Sequence, residues 1–183
     1  ARPLCLAIDG NGDVFVGGIF TTYNNGTFNC RRIVKLSNAA YALTANAIAI
    51  GANAGYCNQG SYSIAIGTNA GGLTQQTVAV AIGNQAGAIT QQGYAVAIGN
   101  AAGYVSQQSS AVAIGNAAGQ TSQQLSAVAI GSNAGYDNQK TNAVAIGNSA
   151  GNTSQQAGAV AIGVGAGYEI QQTGAVAIVT FAG

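Results

Sequence analysis

Apolar and small residues return along this chain every sixteen positions, from Ala45 to the C-terminal Gly183. Counted from Ala45, the unit runs for eight full copies to Gln172, and a ninth begins at Thr173. Position six is Ile in every copy, from Ile50 to Ile178, and position four is Ile or Val, from Ile48 to Val176. Position five is always Ala, from Ala49 to Ala177, and position three is Ala except at Ser63. Positions ten and eleven are Ala-Gly in all eight full copies, and position fifteen is always Gln, from Gln59 to Gln171. The remaining columns vary among polar and small residues. Positions three to six therefore alternate with a period of two, which predicts a short strand. Helix is disfavoured because Gly recurs at positions seven and eleven, each costing about 1 kcal/mol against Ala.

A fixed short repeat containing two short extended segments predicts an all-β fold, a β-solenoid or parallel β-roll of 16-residue coils. Coils stacked about 4.8 Å apart would make a rod of roughly 40 Å. By hydrophobicity, Val and Ile are expected to face inward as a continuous core, at about 2 kcal/mol per buried side chain. Gln and Asn ladders would add coil-to-coil hydrogen bonds. The Ala at positions three and five would then face outward as two columns of methyl groups. That stripe is the expected oligomer interface: Ala79, Ala81, Ala95, Ala97, Ala111, Ala113, Ala127 and Ala129. In the last unit Val179 replaces the corner Gly and Phe181 is added, so both are expected to make end-to-end contacts through an open strand edge. An abrupt end within a longer fibre polypeptide is the rival explanation.

Residues 1–36 do not share the repeat. Leu4–Ile8, Val14–Phe20 and Cys30–Leu36 read as three strands of an antiparallel meander, with a tight turn at Asp9-Gly10-Asn11-Gly12-Asp13. Residues 37–44 form a junction resembling a worn half-repeat. Residues 1–36, in the text from Leu6 to Thr27 and on through Arg31 to Leu36, resemble one blade of the β-propeller-like delta-60 repeats. That resemblance implies a blade-shaped β unit, since one blade cannot close a ring. Cys5 and Cys30 are candidates for a disulfide, or else small buried thiols. Asn25-Gly26-Thr27 and Asn152-Thr153-Ser154 are formal glycosylation sequons, with Asn25 the better placed in a polar loop.

The stretches Ser63-Ile64-Ala65-Ile66-Gly67 and the Ala-Val-Ala-Ile-Gly copies resemble the head repeats of trimeric autotransporter adhesins. The resemblance implies left-handed parallel β-rolls that trimerise side by side. The present unit is slightly longer than that family's and ends in Gln-Gln.

Composition narrows the function further. Charged residues make up only 5% of the chain, and the net charge is +1. This leaves no basic footprint for nucleic acid, and no apolar run long enough for membrane insertion. With no His there is no imidazole base or ligand. Asp137 and Glu169 share column thirteen two coils apart, which suits solvated loop carboxylates better than a catalytic pair. Asp9-Asn11-Asp13 imitates the start of a calcium loop but carries Val14 where that loop needs Gly. Column fourteen (Asn58, Thr74, Thr90, Ser106, Ser122, Asn138, Ser154, Ile170) is too irregular for an ice-binding Thr face. We therefore expect no enzyme, cofactor or metal. The expectation is a structural protein: an extracellular, cell-surface or virion-surface subunit of a fibre or filament, partnered with itself as a trimer or polymer. The alternative is an adhesin-like head that binds a host surface or cell-surface glycan, with Tyr56, Tyr104, Tyr136 and Tyr168 of column twelve as a stacking face.

Overall fold

A computed structural model describes residues 46–178 and the backbone of three strands that precede them. The chain divides into two units, Ala1–Ala42 and Leu43–Gly183. In the first, β1 (Leu4–Ile8) pairs antiparallel with β2 (Val14–Gly18), and β2 with β3 (Ile33–Leu36). The expected three-stranded order is therefore present.

The second unit is a parallel β-solenoid. Nine three-residue strands, one per coil, form a single sheet. They are β4 (Ile48–Ile50), β5 (Ile64–Ile66), β7 (Val80–Ile82), β9 (Val96–Ile98), β10 (Val112–Ile114), β11 (Val128–Ile130), β12 (Val144–Ile146), β13 (Val160–Ile162) and β14 (Val176–Ile178). On another side of the coil, β6 (Thr74–Gln75) pairs with β8 (Thr90–Gln91), and single bridges extend this ladder through column thirteen as far as Thr153. The register has no offset. Val112 lies beside Val128, Ala113 beside Ala129 and Ile114 beside Ile130. Each strand between β4 and β14 bonds in both directions: Val80 N–H donates to Ala95 O at 2.9 Å, and Gly83 N–H donates to Ile66 O at 2.7 Å.

The sheet is turned the other way from the expectation set by hydrophobicity. The buried residues are the Ala of columns three, five and ten, while Val and Ile of columns four and six face outward. The interior cluster runs from Ala65 and Ala70 to Ala166 and Ala177, and consists of alanine alone. The reason is width. A Cβ placed on Gly135 of column eleven would lie 3.2 Å from the Ala129 Cβ across the same coil, and one on Gly151 3.2 Å from the Ala145 Cβ. Opposed walls this close leave room for a methyl group and not for a branched side chain.

The one large side chain admitted is the Gln of column fifteen, fully buried from Gln75 to Gln155. Gln107 shows its function. Its Nε2 donates to Val96 O at 2.8 Å, to Ala111 O at 3.2 Å and to Gln123 Oε1 at 3.1 Å. The amide thus bonds its own coil, the next coil and the next Gln, and the pattern repeats in every coil from Gln75 to Gln155. A buried polar group satisfied in this way escapes the penalty of desolvation. Column eleven must be Gly to leave it space, since a Cβ on Gly103 would meet Gln107 Oε1 at 2.7 Å.

The corners need left-handed backbone. Gly of columns seven and eleven supplies it, with φ of +132° at Gly99 and +52° at Gly103. At column seven each Gly also lies against the next coil's Gly, where a Cβ on Gly99 would fall 2.4 Å from Gly115 O.

Two predictions follow from this interior. Gly103→Ala, which adds left-handed strain and a clash with Gln107, should cost about 3 kcal/mol, whereas Gly158→Ala, with φ +67° and nothing within 4 Å, should cost only about 1 kcal/mol in urea unfolding. Gln107→Leu, which keeps the bulk but removes the acceptor of Gln91 Nε2 and the donor to Gln123 Oε1 in the buried column, should cost about 3 kcal/mol and speed amide exchange in the two adjacent coils.

Candidate functional site

The alanines expected to form an outer interface are inside. Ala79, Ala81, Ala95, Ala97, Ala111, Ala113, Ala127 and Ala129 each have no exposed surface within one chain. A second chain has no access to them. The outward pair is Val and Ile, which form two stacked columns on nine consecutive strands. Neighbours on either side cover much of each side chain, so most middle rungs are partly exposed. The last described rung shows what that stacking hides, with Val176 at 64% and Ile178 at 58% exposed. The result is an apolar ribbon about 38 Å long, at about 4.8 Å per coil. It is flanked at column eight by an exposed amide ladder, in which Asn100 Nδ2 donates to Asn84 Oδ1 at 3.0 Å and Asn116 Nδ2 to Asn100 Oδ1 at 3.2 Å.

Column twelve lies on a different stretch of the coil. Tyr56 and Tyr104 stand there with Gly72 and Ala88 between them, and this gap is a cavity of about 420 Å³. Column nine supplies Asn53, Asn69 and Gln85 to its lining, and column thirteen supplies Leu73 and Ile89. Beyond it, Tyr136 and Tyr168 are exposed and separated by Asn152.

Of the other predicted residues, Val179, Phe181, Cys30 and Asn25 lie outside the described residues, as does the Asp9–Asp13 turn. Cys5 is placed only by its backbone, opposite Gly17 in β1 and β2. Cys57 is a free, half-buried thiol. The side-chain nitrogen of Asn152, where a glycan would attach, donates to Asn133 O at 3.0 Å. Asp137 forms backbone bridges with Thr121 and Thr153. Among the described residues no group of three or more His, Cys, Asp or Glu gathers to hold a metal. No described helix is long and apolar enough to cross a membrane.

Reading the sequence by hydrophobicity missed the outward ribbon. A cue was present in the columns themselves. Positions five and ten never hold anything larger than Ala, while positions four and six hold only the β-branched Val and Ile. A position limited by space shows the first pattern, and one limited only by strand preference shows the second.

No family model, no curated protein and no solved structure matches this chain.

The orientation has a direct test. Ala113→Val, which forces a branched side chain between walls one methyl apart, should lower stability by about 3 kcal/mol, and Val112→Thr, on the outward face, by less than about 1 kcal/mol, both read from urea midpoints at low protein concentration.

Proposed function

We propose that this chain is a structural protein, a subunit of an extracellular or virion-associated fibre or filament built by packing β-solenoids on one another. One observation carries the reading: the apolar Val–Ile ribbon that runs unbroken across nine strands while only 5% of the residues are charged. A regular apolar stripe on a rigid sheet is the kind of surface that subunits cover. The flanking Asn ladder offers polar contacts at its rim, as interfaces commonly have. The likeness of the Val-Ala-Ile-Gly steps to trimeric autotransporter adhesin heads supports side-by-side packing, with Val and Ile as the seam. The likeness of residues 1–36 to a delta-60 blade supports a small β unit that packs on a neighbour. Head-to-tail joining through Val179 and Phe181 belongs to the same proposal.

A second reading, an adhesin-like head that binds a host surface or glycan, is favoured by the tyrosine-bracketed cavity of column twelve.

Ile98→Lys combined with Ile114→Glu places an opposite-charge pair on adjacent strands of the ribbon. The double variant should keep the strand signature in circular dichroism and sediment as a monomer where the parent forms trimers or filaments. A parent that is monomeric at tens of micromolar would remove the structural reading.

A further inference from the structure

In column twelve the tyrosines give way on two consecutive coils, and the cavity lies there. Tyr56 and Tyr104 occupy the column three coils apart, about 14 Å by the coil spacing. The two coils between them carry Gly72 and Ala88, so the floor is nearly bare backbone. Side chains from the adjoining columns make the walls. Leu73, 50% exposed, and Ile89 give an apolar side. Asn53, Asn69 and Gln85 give a side of planar amides.

Three features separate this notch from an accidental gap. The long amides of column nine stand together at the notch and give way to Ala101 and Ala117 in the next two coils. Asn53 Nδ2 donates to Asn69 Oδ1 at 3.1 Å. Among the described residues, neither the Gln85 side-chain amide nor Asn69 Nδ2 has a partner, so donors and acceptors remain for a ligand. The cavity of about 420 Å³ also lies in the range of small-molecule sites, about 300–1,000 Å³.

We propose that this notch binds a short neutral oligosaccharide. A sugar ring has an apolar face of C–H groups and an edge of hydroxyls. The tyrosines present an apolar ring with a polar tip to such a face. Each amide offers a donor and an acceptor side by side, matching paired hydroxyls. No charged residue lines the notch, which selects against sialylated, sulfated or phosphorylated ligands. The proposal rests on the second reading above and can fail separately from it.

The test is an array of neutral glycans (galactosides, glucosides and N-acetylhexosamine oligomers) with sialylated and sulfated glycans and unstructured peptides beside them. Saturation-transfer NMR with the strongest neutral binder then gives its affinity. Ala88→Tyr refills the column with the residue found at Tyr104, and Tyr104→Ala removes one flank. Each should weaken binding about tenfold or more. Tyr94→Ala, an exposed tyrosine of column two that does not line the notch, should leave it within about twofold. Should Ala88→Tyr fail to fold, Gln85→Ala, which copies Ala101, should still weaken binding. Retention of only charged glycans or peptides overturns the proposal, as does retention of none. Neutral-glycan binding that survives Ala88→Tyr and Tyr104→Ala also overturns it while leaving the binding-head reading in place.

Discussion

Each coil is held between two walls a methyl group apart, and the space that remains is threaded by a single buried amide. A Cβ on Gly135 would lie 3.2 Å from the Ala129 methyl, and Gln139 fills the corner beside them. From this follow the alanine interior, the glycine at column eleven and the displacement of every branched residue to the outside. The hydrophobic effect alone cannot hold such a structure, because a methyl buries too little area to offset the ordering of sixteen residues. The coil-to-coil hydrogen bonds and the Gln ladder are therefore central. Aligned amides in a buried column polarise one another, so the ladder is stronger than its separate bonds.

What was legible in the sequence was whatever depends on repetition. The sixteen-residue period gave the coil, the alternation around Ala-Val-Ala-Ile gave the strand, and Gly at seven and eleven gave the corners. The Gln column was readable as a ladder. Which face of the strand turns inward was not readable, because alternation defines two faces without choosing between them. Hydrophobicity chose Val and Ile, and the distance between the walls overruled it. That distance is set by the whole path of the coil, including the left-handed residues of columns two, nine and fourteen such as Val78, Ala101 and Ser106. Asn at several positions of these columns favours such a backbone, but Val78, Ala101 and Ser106 carry no local signal for it, least of all a β-branched Val.

The candidate sites divide along the same line. The outer ribbon is a product of the repeat, so any coil can supply it. The notch is a departure from the repeat, formed where Gly72 and Ala88 interrupt the tyrosines. The interrupted column was visible in the sequence. Its adjacency to the column-nine amides depended on where the corner between columns nine and twelve places them.

The Gln ladder also has a direction. Every Nε2 donates to the Oε1 of the following coil, from Gln59 onward to Gln171. A stack of such coils is consequently a vector, with acceptor oxygens toward one pole and donor nitrogens toward the other. Further coils can extend it only in the same sense, because donor would otherwise meet donor. An assembly that continues the column inherits this polarity, and its two tips cannot be chemically alike.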